Sequence, residues 1–497
     1  MPNEQDSELV VLDETTSGEE QLGTLSRRQV ALSLLGLAGL AGCASEALPE
    51  DAIDLGLTAE ALTGTGTNYF WVTAIGTSAA PLDLRNLSGM PADQVVIATG
   101  FLTHGDGGGG AFLWDAASTA ADDGGAVIQP ASLPATGRWR RIDSGSVNVR
   151  WFGARGNGTT DDTIAIQAAI NCAGRQGNDG NGGGTVYFPP GDYILGDTLK
   201  ISQALGHRAV CLRGATSGPQ HGGYTGTRLR WTANAPTKAI IQLWGSESSI
   251  SDMSIVCDAA STAKVDRAID CTKAPGNYAY GANRFANLYI ASLNHANPGM
   301  KYGIVIGDMT QGDATWPQNG ENLMFSDVFF QDLSGAGVFV VNESGQAKNH
   351  VYLQCHFNGT VYGIHTRSSS FKCYSCSFNT LTAAIFEKTP CDVIGVYDTD
   401  SEWCQRFYAH EGGGSSAQRP MYFVGGRYAL NALAADGVYF DFYQPGPVTM
   451  VGVLFKNASS TNFTIRNIQA PTNHWQIATM ELARFRGQRT LLRSVSV

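Results

Sequence analysis

The sequence predicts an all-β solenoid, a parallel β-helix closed at its start by a helix, and three observations carry that prediction. Residues 147–201 join a strand, a helix, a glycine-rich spacer and a second strand in the order of a solenoid lid. A degenerate apolar frame then recurs nine times after residue 200. Glycine supplies 60 of 497 residues and charged residues only 15%, a composition that suits a turn-rich β protein.

In the lid, Val147, Val149 and Phe152 begin an apolar strand pattern, which Gly153, Gly156 and Gly158 break with residues that tolerate positive φ. Thr160 or Asp161 is placed to accept the orphan N–H groups of a helix start. Ile164, Ala168 and Asn171 with Ile166 and Ile170 give a stripe at helical spacing, and the glycines after Ala173 end it. The run TVYFPPGDYI then alternates until Pro189 and Pro190, which deny a central ladder position and force a turn at Gly191. Asp161 and Asp162 look like a catalytic carboxylate pair, but helix capping accounts for them.

This stretch of about fifty-five residues resembles the opening of the pectate-lyase superfamily, including its rhamnogalacturonase-like and epimerase-like domains. The resemblance implies a single-stranded right-handed parallel β-helix and a polysaccharide as substrate or ligand. It does not supply a reaction. The pectin-hydrolase branch carries Asn-Thr-Asp, Asp-Asp, Gly-His-Gly and Arg-Ile-Lys in order, whereas this chain offers Asp398-Thr399-Asp400 and no later Gly-His-Gly or Arg-Ile-Lys. No family catalytic residue carries over.

Four segments are expected: 1–43 as an export signal, 44–66 as a tether, 67–146 as a small β-rich unit and 147–497 as the β-helix. Ser26-Arg27-Arg28-Gln29 precedes an apolar run from Val30 to Ala41, and Leu40-Ala41-Gly42-Cys43 closes it, as in a twin-arginine signal joined to a lipobox. Resemblance to bacterial lipoproteins implies lipidation of Cys43 and anchorage at the outer membrane or cell surface. The run is too short for a stable span. Ten cysteines less Cys43 leave an odd number, and Cys355, Cys373 and Cys376 sit in apolar patterns as core thiols. No Cys or His spacing indicates a resident metal. A net charge of −11 without a basic block excludes a phosphate-binding face, so nucleic acid is not an expected partner. In the small unit, Asp106, Asp122 and Asp123 are read as Asp-Gly turns rather than calcium ligands. That unit resembles the one preceding the lid in tailspike-like proteins, which implies a homotrimer as one assembly.

The repeat is a seven-residue frame, apolar at its first, fourth and sixth places, laid at Ile250, Phe285, Phe325, Tyr352, Cys373, Ile394, Phe423, Met450 and Ile477. Only Thr399 and Gly426 break it. The inward columns run Met253, Leu288, Val328, Cys355, Cys376, Tyr397 and Ile255, Ile290, Phe330, Phe357, Phe378. The outward fifth column has a polar middle: His356, Ser377, Asp398, Arg427. Asp398 is thereby expected one coil from Ser377 and Arg427 and two from His356, about 10 Å away.

Asp400 is expected to share a face with Asp398 about 7 Å away, a separation at which two carboxylates act as acid and base around a water, as in inverting glycosidases. Asp398, Asp400, Arg427 and His356 are therefore the candidate catalytic residues. Tyr397, Trp403, Ser377 and Glu402 are the candidate substrate contacts, with Trp316 and Tyr428 as further flat surfaces for sugar rings. In a lyase the same aspartates would hold calcium on a uronate and Arg427 would take the α-proton. Against these stands a structural reading in which Asp400 continues an outward ladder of Asn358 and Asn379 and Arg427 merely pairs with Asp398. His365 and Arg367, with Glu387 and Lys388 a coil later, read as solvated charges. The expected function is an exported protein that binds and cleaves an acidic or cell-surface polysaccharide, by hydrolysis or β-elimination. A noncatalytic glycan-binding or adhesive protein on the same scaffold is the alternative.

Overall fold

The computed structural model describes residues 69–483. Within that span it excepts 77–82, 176–182, 219–225, 273–280, 308–319, 342–346, 389–392, 412–419, 444–447, 457–462, 469–474 and a few shorter stretches. The export signal, Cys43, the tether and Trp316 lie outside the described residues.

Five strands form the small unit: Tyr69–Val72, Val95–Ala98, Gly110–Asp115, Val127–Ile128 and Arg138–Arg141, here β1 to β5. They lie in the order β1-β2-β3-β5-β4, parallel only between β1 and β2. Val72, Val96, Phe112, Trp114 and Trp139 make its core, with the two indoles 5.0 Å apart. Its aspartates hold turns. Asp106 accepts the backbone N–H groups of Phe101, Leu102, Thr103 and Gly108, and Asp123 those of Gly125, Ala126 and Val127. Asp122 pairs with Arg85.

The lid helix, α1, spans Thr163–Arg175 and packs on the strands Ser146–Asn148, Gly184–Tyr187 and Leu199–Ser202. Gly153 and Gly156 take the positive φ that the turn before it requires, at 94° and 59°. Asp161 accepts the N–H of Thr163, and the buried Asp162 ties the helix start back to the N–H groups of Arg155 and Gly156. Thr160 does not cap; its hydroxyl accepts from the Asn157 side chain instead, at 3.1 Å. The buried stripe is Ile166, Ala169, Ile170 and Ala173, while Ile164 is 87% exposed. Ile164 and Ile166 stand about 200° apart around the axis, so one helix face cannot bury both.

Beyond the lid every described strand pairing is parallel, in a ten-stranded sheet from Leu199–Ser202 to Thr464–Ile468 and a nineteen-stranded sheet that includes the frame residues. The larger sheet bends at the third place of each repeat. There Asp252, Asn287, Asp327, Gln354, Ser375, Asp398, Gly425 and Gly452 stack in the left-handed region, with φ between 48° and 67°. Asp, Asn and Gly dominate because they carry the smallest penalty there. A second left-handed column, Asp332, Gly359, Thr380 and Trp403, ends the next strand.

The repeat frame needs one correction. Ile394 pairs with Phe371, and Val396 pairs with Cys373 and Phe423. That coil is therefore 23 residues long and starts at Val396 rather than Ile394. Both residues are apolar and two apart, so a period of two fits either. In the true register Thr399 and Ser401, not Tyr397 and Thr399, point inward. Both are fully buried, and the Ser401 hydroxyl satisfies itself 2.8 Å from the Tyr439 hydroxyl. The cysteines behave as expected: Cys355, Cys373 and Cys376 are buried core thiols, and none of the eight described cysteines forms a disulfide.

Candidate functional site

The register shift relocates the polar column. Outward neighbours run His356, Ser377, Asp400, Arg427, and Asp398 is not among them. Asp398 instead occupies the left-handed corner (φ 48°), between the strand Ile394–Tyr397 and the strand Asp400–Glu402. The expected Asp398–Asp400 pairing on one continuous strand therefore does not occur. Asp400 does not continue the asparagine ladder either, for Asn358 and Asn379 stack with Glu402.

Arg427 joins the two carboxylates. Its Nε and Nη2 donate to Asp400 at 2.7 and 2.6 Å, and Nη2 also donates to Glu402 Oε1 at 2.7 Å. All three side chains stay between 35% and 42% exposed. Because one nitrogen holds both, the two carboxylate oxygens lie within roughly 5 Å, close to the ~5–5.5 Å of retaining glycosidases and short of the ~6.5–9.5 Å of inverting ones. The hydrogen bond to Asp400 and the negative charges of Asp400 and Glu402 drive the Arg427 pKa up. The guanidinium is thereby held in its charged form and engaged by both carboxylates. Both Asp400 oxygens accept from Arg427, and no cluster suited to a metal occurs among the described residues.

Aromatic rings flank this trio. Tyr397 faces outward, stacked on Tyr374 at 4.9 Å, and Tyr422 stands exposed on the following coil. Burial, then the neighbouring Tyr374 and Tyr422, raise the Tyr397 pKa. The frame laid at Ile394 put Tyr397 inside, so the Tyr374–Tyr397 pair was hidden; in the corrected register both stand at the second place. Trp403 sits on the second corner column at φ 56° with 54% of its surface exposed. His356 is exposed and stacks on Phe329 at 5.5 Å, two coils from Asp400 with Ser377 between them. Tyr428 is fully buried and offers no sugar platform. Glu387 is also not a solvated charge. It pairs in register with the buried Thr366, is 1% exposed and accepts the Tyr408 hydroxyl.

Residues 146–206 match the model of the family described as rhamnogalacturonase A/epimerase, pectate lyase-like. Residues 77–144 match that of a phage tail protein small four-stranded β-sheet domain. The tailspike protein of an Acinetobacter phage superposes with a TM-score of 0.56 at 15% identity, over 86% of this chain and 76% of that one. The chain is a right-handed parallel β-helix that opens with a pectate-lyase-like segment. The enzymatically active domain of tailspike protein 4 from bacteriophage CBA120 shares this β-helix at a TM-score of 0.50 and 13% identity, covering 80% of this chain and 50% of that one. Among curated proteins, alginate lyase 7 and mannuronan C5-epimerase AlgE6 of Azotobacter vinelandii are 59% and 56% identical over 46 residues. Those stretches amount to 9% of the β-helix chain and 5% of each relative. The family match ends at residue 206, so Asp400, Glu402 and Arg427 rest on the geometry of this β-helix itself.

Proposed function

We propose that this β-helix binds an acidic or cell-surface polysaccharide and hydrolyses it at Asp400 and Glu402. The observation that carries the reading is the Asp400–Arg427–Glu402 trio, half exposed on an outward face and flanked by Tyr374, Tyr397 and Trp403. The tailspike fold and the short likeness to alginate-modifying enzymes support a glycan as the ligand.

Asp400, oriented by two bonds from Arg427, serves as nucleophile, each oxygen keeping a further lone pair. Glu402, once it has taken up a proton from solvent, gives it to the leaving oxygen as the glycosidic bond breaks and Asp400 forms a glycosyl ester. It then takes a proton from the water that hydrolyses the ester. Tyr397 and Trp403 supply ring faces to the sugar, and Ser377 and His356 extend the polar track along the coils.

The ion pairing also favours a second reading, in which Arg427 only braces two carboxylates and the rings bind glycan without cleaving it. Reducing-end release from uronate-containing and neutral polysaccharides, read beside absorbance near 235 nm, separates the two. Release without absorbance supports hydrolysis. Binding with neither signal supports the noncatalytic reading, and a calcium-dependent rise in absorbance overturns both.

Export and anchorage belong to the same proposal. Ser26-Arg27-Arg28-Gln29 and the box ending at Cys43 direct the folded protein across the membrane and attach lipid. Metabolic labelling with palmitate that survives in Cys43→Ser contradicts the anchor.

A further inference from the structure

We infer that the outward face of the ten-stranded sheet is a second glycan-binding site, specific for anionic sugar chains and separate from the Asp400 trio. Outward-facing apolar side chains gather there outside the main core: Val305, Ala336, Phe339 and Val341, packed with the partly buried Tyr302 and Tyr362. Rings stack along the solenoid from coil to coil. Tyr302 lies on Phe339 at 4.8 Å, Phe339 on His365 at 4.4 Å, and Tyr362 on Phe386 at 4.4 Å. Phe339, His365 and Phe386 occupy one register column over three coils.

Aromatic pairs stabilise any sheet, and a ladder alone would need no ligand. Two features point further. The first is His365, whose Nε2 is buried among rings without a hydrogen-bond partner. Burial, then Arg367 and Lys388, push its pKa down to about 4, so it is neutral at pH 7 and that nitrogen is left for a hydroxyl. An orphaned polar atom in an apolar patch costs free energy that a ligand would recover.

The second is charge. Arg367 stands 5.8 Å from the centre of the Phe339 ring and Lys301 5.0 Å from that of Tyr302. Lys388 follows, 3.6 Å from Glu411, the acidic group that also faces Tyr362. Among the described residues, Arg367, Lys388 and Lys301 stand beside these rings, while on the coils beyond, Arg267 pairs with Asp270 and Arg406 with Asp441, in a chain whose net charge is −11. A uronate chain fits: its apolar ring faces lie on Tyr362 and Phe386, its carboxylates meet Arg367 and Lys388, and a hydroxyl reaches His365.

The test uses the full chain with polygalacturonate and neutral dextran as probes, in affinity electrophoresis and calorimetry at two salt concentrations. Wild type should prefer polygalacturonate. The double variant Arg367→Gln/Lys388→Gln should lose tenfold or more in affinity and most of its salt dependence, with an unchanged melting temperature. Phe386→Leu should weaken binding without altering the salt slope. Equal binding of both probes by wild type, or wild-type affinity in both variants, overturns the inference. Cleavage of short oligosaccharides is measured in parallel. Its loss or retention bears only on Asp400 and Glu402, so the two readings fail separately.

Discussion

Asp400 faces Arg427 on the next coil and accepts two hydrogen bonds from it, while Asp398, two residues earlier, turns a corner of the solenoid. The two aspartates of one Asp-Thr-Asp motif thus have different work, and substitution should separate them.

Asp398→Asn and Asp398→Gly should leave stability and any cleavage close to wild type, since both residues tolerate the left-handed region. Asp398→Val should destabilise the chain by about 1–2 kcal/mol through its branched Cβ. Urea unfolding beside a reducing-end assay checks both halves.

Trp403 holds a bulky side chain in a left-handed conformation with half its surface in water, a cost that burial does not offset. Gly359 occupies the same corner column. Trp403→Gly should therefore leave stability unchanged or raise it by up to about 1 kcal/mol, while glycan affinity falls. Loss of both stability and affinity would make Trp403 a packing residue.

Stability should fall on mild acidification. His350 is fully buried, its Nε2–H donates to the Gly320 carbonyl at 2.6 Å, and burial pushes its pKa down to about 4. The folded state thus resists protonation that the unfolded chain accepts near pH 6.5. The stabilisation is complete above about pH 6.5 and is lost as pH falls from there toward 4, by on the order of 3 kcal/mol. Urea midpoints at pH 7 and pH 4.5 measure it. His350→Leu should be less stable at pH 7 but should show a smaller difference between the two pH values.

The lid offers a packing contrast. Ile166→Ala should cost about 2–4 kcal/mol because its side chain is enclosed, whereas Ile164→Ala should cost almost nothing. Thermal melts of the two variants are sufficient.

The sequence made the solenoid legible because its inward columns are apolar and its lid punctuates with Gly153, Gly156 and the Pro189-Pro190 pair. It misplaced the site because one coil buries Thr399 and Ser401. An apolar template rejects those residues, so it slid two places to Ile394 and put Asp398 at the outward fifth place that Asp400 occupies. The left-handed corners could have corrected it: Asp252, Asn287, Asp327 and Asp398 already form a column of turn-favouring residues at the third place. Nothing local marked Glu387 as buried, because its partner Tyr408 comes from the next coil. Arg427, Glu402, Tyr397 and Trp403 were all named, but only the pairing of coils brought them together.

The most direct test compares wild type with Asp400→Asn, an exchange that keeps shape and removes charge, on uronate-containing polysaccharides. The account predicts reducing ends from wild type, a loss of about a hundredfold or more in Asp400→Asn, and retained glycan binding in both. Equal release by the two proteins would contradict it.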